Sequence, residues 1–264
     1  MIKKLACLVV VLSSICLATH VYGGSHEADR ADSSRLLKNA LFSKEVEKRI
    51  AKKRAEVAIV ARLGRPLDKL PAPLQFTHVG IAIYSQIATA ENQVFSGYVF
   101  YNLYQSKENS TLSYLASDSA LNYFANVEQR VAGVIIPRKE LQDRLKALVF
   151  SETYKRLHRP NYALLANPFD KRYQNCTEFV LDLVTSSIYE TSNINQLKAN
   201  QRAHFVPTSL DLSRNKIRIA GLFAPALHVR DQPGQIEIAT FQSILAYLYK
   251  HRAVAESFVI KWSP

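Results

Sequence analysis

Residues 77–84, with the sequence Thr-His-Val-Gly-Ile-Ala-Ile-Tyr, are apolar at almost every position after the histidine. An apolar run of this length, rich in β-branched side chains, predicts a strand that is buried on both faces. A polar turn at 90–97 leads to a second strand at 97–105, rich in Tyr, Phe and Val. The short separation predicts that the two strands pair as an antiparallel hairpin with a long loop.

Helical and extended patterns alternate around this hairpin. Apolar residues at helical spacing, with Ser43 as N-cap and Gly64 as the stop, predict a helix over 43–63. Further helices are predicted at 112–125, 138–157, 176–188 and 241–251, and further strands at 131–136, 216–220, 226–230, 235–239 and 256–262. Together these elements predict the α+β class, with a short antiparallel sheet flanked by helices.

The beginning of the chain has the layout of a secretory signal peptide. Two basic residues, Lys3 and Lys4, precede an apolar stretch at 5–18, and small residues follow it. That stretch is shorter than the roughly 20 residues of a membrane span, although an uncleaved anchor is the alternative. We therefore expect an exported protein, periplasmic or secreted, with no transmembrane segment once the signal is removed.

The sequence divides into three parts: a signal peptide (1–23), a polar N-terminal segment (24–41) and a single domain (42–264). Within that domain we expect an N-terminal helix over 42–66, a core over 74–190 that contains His78 and Cys176, and C-terminal strands with a helix over 191–264.

The chain is strongly basic, with a formal net charge of +12. Such a charge suits an anionic partner. An exported protein meets anionic lipid or cell-wall polymer rather than nucleic acid, so we predict a cell-wall or anionic envelope component as the partner and no nucleic acid. The basic residues are spread widely, and a solvated basic surface is the alternative explanation.

Cys176 is the one cysteine outside the predicted signal peptide, which contains Cys7 and Cys16. A lone thiol in an oxidising compartment is either a buried apolar residue or is retained for its reactivity. Asn175 and Glu178 have the spacing of a capping box, which places Cys176 in the first turn of a helix. The free amides and dipole there favour a thiolate, so the pattern indicates a nucleophile.

A cysteine nucleophile needs a base, usually a histidine. His78 opens the apolar strand, where an imidazole is costly unless it is paired, and a strand end is a rigid support for a base. His228 lies in another apolar stretch and is the rival candidate. For either residue, a histidine satisfied within the core is the alternative interpretation.

Several short motifs follow one another in a specific order: Arg62-Leu63-Gly64-Arg65-Pro66, Leu70-Pro71, Thr77-His78-Val79, Tyr101-Asn102-Leu103-Tyr104-Gln105, residues 167–176 and Thr240-Phe241-Gln242-Ser243. With these motifs the chain resembles the DUF2145 family from about residue 42 to near its C-terminus. The order of His78 before Asn175-Cys176 also resembles the permuted NlpC/P60 group of papain-like folds, which includes proteins similar to lecithin retinol acyltransferase. The resemblance implies a papain-like core with Cys176 as nucleophile and His78 as base, but no substrate.

The permuted group places a polar residue on the strand after the histidine strand, and Asn102 fits that position. An amide oxygen there can hold the tautomer of the imidazole, although an ordinary strand asparagine is the alternative. Gln174 and the backbone amide of Cys176 are candidate oxyanion donors. For Gln174, a bond to its own loop is the alternative. Tyr84 and Tyr173 are candidate substrate-binding residues.

We therefore predict a papain-like thiol hydrolase or acyltransferase that acts on an amide or ester, such as a cell-wall peptide or a lipid acyl group. A cysteine peptidase, an amidase and an acyltransferase all fit this description. The alternative is a non-catalytic envelope binding or assembly protein on the same fold. We predict no metal site and no cofactor, because the sequence has no paired-cysteine motif and no glycine-rich phosphate loop.

Overall fold

A computed structural model of the chain describes residues 33–88 and 94–262. The predicted signal peptide (1–23) and the first part of the polar segment (24–32) lie outside these residues. The strands are β1 Val57–Leu63, β2 His78–Ala88, β3 Val94–Gln105, β4 Ser113–Ser119, β5 Gln129–Pro137, β6 Thr208–Leu210, β7 Ile236–Ile238 and β8 Val254–Lys261. The helices are α1 Ser33–Lys52, α2 Ala120–Phe124, α3 Lys139–Val149, α4 Glu152–Arg156, α5 Cys176–Tyr189, α6 Ile194–His204, α7 Arg214–Ala220 and α8 Phe241–Lys250, with a 3-10 turn at Leu67–Lys69.

The centre of the molecule is a six-stranded sheet in the order β4–β3–β2–β1–β5–β8. Every neighbouring pair in it is antiparallel. Helices cover both of its faces, so the predicted α+β class with an antiparallel sheet flanked by helices is confirmed. The predicted hairpin is also present, since β2 pairs directly with β3.

The pairing of β2 with β3 stops before either strand ends at this side of the sheet. The last matched pair is Ile81 with Tyr101. From there β3 continues to Gln105, paired with β4, while β2 begins at His78, paired with β1. The first residues of β2 therefore have a ladder partner on one side only, and this opening is where the candidate site forms.

The helix predicted over 43–63, and with it the helical part 42–66, is wrong in its second half. Helix α1 ends at Lys52, and Val57–Leu63 forms β1 near the middle of the sheet. All seven residues of β1 are buried, so apolar side chains are needed on both of its faces. Some of these apolar residues are three or four positions apart, which is also the spacing of a buried helix face. Arg54, with φ of 53°, turns the chain between α1 and β1. Ser43 lies inside α1, where its hydroxyl donates to the Ala40 carbonyl instead of capping the helix.

Other predicted elements also change type or divide. Residues 112–125 form strand β4 followed by α2, rather than one helix, and 138–157 form two helices, α3 and α4. Residues 216–220 belong to helix α7, and 226–230 form no regular element. The other predicted elements are confirmed with small changes of boundary: 131–136, 176–188, 235–239, 241–251 and 256–262.

The two faces of the sheet carry separate apolar cores. One face packs against α1 and α2 through Phe42, Val46, Ile50, Ala58, Val60, Phe100, Tyr123, Phe124 and Val134. The other packs against α3, α5 and α8 through Val57, Ile59, Val79, Ile81, Leu145, Phe179, Leu183, Ile244 and Leu248. A third cluster joins β6, β7 and α7 through Leu165, Leu210, Ile217, Val229, Ile236 and Ile238. Among the described helices, none has the length and hydropathy of a membrane span.

Candidate functional site

The start of α5 positions Cys176. The Asn175 side chain accepts a hydrogen bond from the Glu178 amide at 2.9 Å, as an N-cap does. Its own amide donates to the Leu164 carbonyl at 3.2 Å, which ties the cap to the preceding loop. The reciprocal half of the predicted capping box is not formed, because the Glu178 carboxylate turns to Arg159 and Lys198. Cys176 therefore lies at the N-terminus of a well-capped helix.

The thiol of Cys176 contacts the backbone on both sides of His78. Its Sγ lies 3.9 Å from the Thr77 carbonyl oxygen and 3.8 Å from the Thr177 hydroxyl. It also accepts a hydrogen bond from the amide of Val79, at the part of β2 that has no β3 partner. Residue 176 is only 5% exposed. The first turn of α5 is thus packed directly onto the start of β2.

The electrostatics of Cys176 differ from the expectation based on helix position. Burial raises the pKa of the thiol, and the Val79 amide, Thr177 and the positive charge of Arg62 offset this only in part. A helix N-terminus favours the thiolate, but removal of the sulfur from water disfavours it more. The thiol is therefore protonated at neutral pH in this structure.

His78 and Asn102 are joined by a buried hydrogen bond. The Nε2 atom of His78 lies 2.9 Å from Oδ1 of Asn102. The amide nitrogen of Asn102 donates to the Phe100 carbonyl at 3.0 Å, which leaves Oδ1 as the acceptor. Nε2 therefore carries the proton. Nδ1 is buried and has no hydrogen-bond partner among the described residues.

The imidazole is neutral and is held between aromatic rings. Burial and the nearby charge of Arg62 lower the pKa of His78 well below its ordinary value, against the opposing effect of Asn102. The Tyr104 ring stacks on it, with centroids 5.0 Å apart and planes 4° apart, and the Tyr123 ring lies at 5.5 Å. The Tyr104 hydroxyl donates to Asp118 at 2.7 Å, so the stacking ring is itself fixed. A neutral imidazole with a bare Nδ1 is a proton acceptor held in one orientation.

Arg62 is a buried cation beside this pair. It is 3% exposed, and its guanidinium lies 5.3 Å from the centre of the Tyr123 ring. Its side chain hydrogen-bonds the Tyr104 hydroxyl, which also contacts Asp118, while its Nε has no hydrogen-bond partner among the described residues. The sequence prediction missed this residue, although a charged side chain in an otherwise apolar buried strand was the available signal.

A cavity of about 570 Å³ opens at the site. This volume is typical of small-molecule sites. Its lining includes the site residues Arg62, Thr77, His78, Tyr162, Asn175, Cys176 and Thr177. Apolar residues from the loops and the C-terminal part of the chain also line it, including Leu70, Leu74, Leu165, Leu212, Ile217, Leu227 and Ile238. Further charged side chains line it as well: Arg35, Arg65, Lys69, Glu128 and Lys216. The thiol and imidazole thus border a chamber with both apolar and charged lining.

Four of the predicted site residues do not line this cavity, and one of them, Asn102, is connected to it through its bond to His78. Both amide hydrogens of Gln174 are used, one by the Leu157 carbonyl and one by Asp182. Tyr84 is 43% exposed and packs against Tyr98, away from the site. Tyr173 packs edge-on against His228 at 4.5 Å, and neither ring lines the cavity. The structure brings together Cys176, His78 and Asn102 but not these tyrosines or Gln174.

A buried ionic cluster supports α5 from behind. The Lys198 ammonium donates to Glu178 and to Asp182 at 2.8 Å each, and Arg159 contacts the same two carboxylates at 2.6 and 2.9 Å. Burial raises the pKa of Glu178 to about 7 despite both cations. Burial also opposes ionisation of Asp182, but Lys198 and Arg159 outweigh it and its pKa lies below the ordinary value. Asp182 also accepts hydrogen bonds from Gln174 and Gln201, which favour its ionised form.

Metal binding finds no support among the described residues, where no group of three or more His, Cys, Asp or Glu side chains lies close enough to hold an ion. A lone cysteine and a histidine that is bonded to an amide do not form such a group.

No curated protein and no solved structure matches this chain. The family described as "Uncharacterized protein conserved in bacteria (DUF2145)" matches residues 49–248. That range is 200 of the 264 residues and includes β1, β2, β3 and the start of α5, which form the site. The chain therefore belongs to the DUF2145 family.

Proposed function

We propose that Cys176 is the nucleophile, and His78 the base, of a papain-like thiol hydrolase or acyltransferase. The observation that carries the proposal is the packing of Cys176 Sγ against the backbone on both sides of His78, at the wall of a cavity. The bond from Nε2 of His78 to Asn102 leaves Nδ1 as the basic atom. This is the division of roles in Cys-His-Asn sites.

The proposed reaction begins from a neutral pair. Sγ attacks the carbonyl carbon of an amide or ester while its proton passes to Nδ1 of His78. The amine or alcohol then leaves with that proton, and water or an acceptor alcohol resolves the thioester. The backbone amide of Cys176 is the proposed oxyanion donor. Arg62 adds a positive charge that favours both the thiolate and the oxyanion; Gln174 is left out because its donors are occupied.

The proposed substrate is a lipid acyl group or a cell-wall peptide, met after export. The apolar part of the cavity lining favours the acyl group, because leucine and isoleucine side chains recognise hydrocarbon rather than a polar peptide. The proposed papain-like identity has its support in the antiparallel sheet, with the histidine at the start of β2 and the cysteine at the start of the helix packed on it.

The proposal is tested by acyl transfer to Cys176. The protein is incubated with p-nitrophenyl esters of increasing acyl length and with peptide amides, and intact and peptide mass spectrometry locate the acyl group. We expect a thioester on Cys176, lost in Cys176→Ala and formed about 100-fold more slowly in His78→Gln. His158→Gln is the matched control, since His158 is also partly buried but lies outside the cavity. Equal acylation of wild type and His78→Gln would rule out His78 as the base.

A non-catalytic binding protein is the second candidate. Burial raises the pKa of Cys176 and lowers that of His78, and Nδ1 makes no hydrogen bond to the sulfur. The apolar part of the cavity lining, which includes Leu70, Leu74 and Leu165, also suits reversible binding of an apolar ligand. If Cys176→Ala keeps wild-type affinity for a fluorescent fatty-acyl probe, and wild type forms no thioester with any ester or amide, this second function replaces the first.

A further inference from the structure

Helix α7 and the turn after it carry an exposed surface that is both apolar and basic. Ile219, Leu222 and Phe223 are 53%, 78% and 56% exposed. Lys216 and Arg218 are exposed beside them. We call these five residues the α7 surface. Large apolar side chains grouped this way on a protein surface indicate an interaction site rather than a solvated face.

The charge around the α7 surface has a single sign. From residue 212 to residue 230 the sequence contains four basic residues and no Asp or Glu. Lys216 and Arg218 form no ion pair with any residue that the structure describes. An anionic partner is therefore favoured, because opposite charge attracts it and nothing in this segment competes for the cations.

The inner side of α7 is part of the cavity wall. Ile217 is 6% exposed and packs in the third apolar cluster, and Lys216, Ile217 and Ala220 all line the cavity. The short helix α7 thus contributes both to the cavity lining and to the α7 surface, and Lys216 belongs to both. Whatever covers that surface lies next to the cavity.

We propose that the α7 surface docks on an anionic lipid bilayer. Leu222 and Phe223 enter the interfacial region of the lipid, while Lys216 and Arg218 contact anionic headgroups, which is the composition of interfacial binding segments. A second copy of the chain fits less well, since a two-fold contact would bring the same cations face to face. The proposal does not depend on catalysis by Cys176. Docking on a bilayer would, however, bring the lipid acyl groups of the proposed function close to the cavity.

Vesicle co-sedimentation of the full chain is the first test. We expect binding to phosphatidylcholine vesicles that contain phosphatidylglycerol, much weaker binding to phosphatidylcholine alone, and weakening by salt. Both Leu222→Ser/Phe223→Ser and Lys216→Glu/Arg218→Glu should bind at least about tenfold more weakly. Two matched controls should stay within about twofold of wild type: Leu121→Ser on α2, at a 50% exposed leucine, and Lys48→Glu/Lys52→Glu on α1, with the same change of net charge.

Fluorescence gives a second test at the contact itself. The sequence has a single tryptophan, Trp262, so a Phe223→Trp/Trp262→Phe variant reports only from position 223. We expect its emission to shift to the blue on addition of phosphatidylglycerol vesicles and to be quenched by brominated lipid. Thermal unfolding monitored by circular dichroism checks that each variant is folded.

Three results would overturn the proposal. The first is a tryptophan at 223 that stays in water when vesicles are added. The second is an equal loss of binding in the α1 charge control, which would make net charge alone responsible. The third is a concentration-dependent dimer that Leu222→Ser/Phe223→Ser abolishes, with no vesicle binding, since the surface would then belong to a second copy.

Discussion

The charge states of Cys176 and His78 illustrate how single residues acquire properties from burial. Exclusion of water favours the neutral thiol and the neutral imidazole, so the proton resides on sulfur. Arg62 acts on the two groups differently, because a positive neighbour disfavours a protonated imidazole but favours a thiolate. The bond to Asn102 then decides which nitrogen of the neutral ring accepts a proton.

His78 is expected to make stability depend on pH below about 6.5, its unperturbed pKa. The pKa of the folded ring is lowered, so the unfolded chain takes up a proton that the folded state refuses. The free energy of unfolding therefore falls as pH falls from 6.5 towards the folded pKa, with a slope of at most about 1.4 kcal/mol per pH unit for one proton. In His78→Gln this contribution is absent, and the amide can still donate to Asn102.

Urea unfolding of wild type and His78→Gln across a pH series measures this difference. The two curves of unfolding free energy against pH should run parallel above pH 6.5. Below it, the free energy of the wild type should fall more steeply than that of the variant as pH is lowered. Parallel curves over the whole series would mean that His78 is not held neutral by its surroundings.

Helix α5 connects the site to the body of the protein. Its first residue carries the thiol, and Phe179, Val180 and Leu183 are buried in the core between α5 and the sheet. Glu178 and Asp182, one turn apart, are fully buried on its other side and meet Lys198 of α6. The position of Cys176 therefore depends on a cluster of charges that does not line the cavity.

Removal of Lys198 is expected to destabilise this packing. Lys198→Met leaves Glu178 and Asp182 buried with only Arg159 as counter-charge, and breaking a buried ion pair in this way costs about 3–5 kcal/mol. Lys171→Met is the matched control, because Lys171 is exposed and its side chain bonds only to Asn195 among the residues that the structure describes. We expect its change to stay within about 0.5 kcal/mol. Urea unfolding of both variants provides the comparison, and similar values for the two would contradict the role of the cluster.

The whole molecule is organised by a sheet that has a core on each face. The site lies at the start of β2, where pairing with β3 stops, and part of its cavity lining, including Leu212, Ile217 and Ile238, comes from residues more than a hundred positions after His78. Helix α1 begins before the family match at residue 49, yet it covers the second face. Phe42 of α1 packs between α2 and the end of the C-terminal strand. The centre of its ring lies 5.1 Å from that of Phe124 and 6.5 Å from that of Trp262.

Phe42→Ala is expected to lower the free energy of unfolding by about 3–5 kcal/mol, because it removes a fully buried ring and leaves a cavity between three parts of the chain. The fluorescence of Trp262 should change at the same time, since its neighbour is lost. Leu41→Ala is the control, as Leu41 is 48% exposed, and should cost less than about 0.5 kcal/mol. A stability change in Phe42→Ala as small as in Leu41→Ala would show that α1 is not part of the folded core.

Local patterns in the amino-acid sequence were enough to predict the start of α5, the hairpin of β2 and β3, and the α+β class. Capping residues and apolar periodicity act over a few residues, so they can be recognised without knowledge of the fold. The same patterns failed for Val57–Leu63, because a strand buried on both faces has no alternation to separate it from a buried helix. The bond between His78 and Asn102 was expected from the family resemblance and not from any local pattern. The buried charge of Arg62 and the contribution of α7 to the cavity lining were decided by tertiary structure alone. They join residues far apart in sequence, and their energies come from exclusion of water and from contacts that exist only after the sheet and helices have packed.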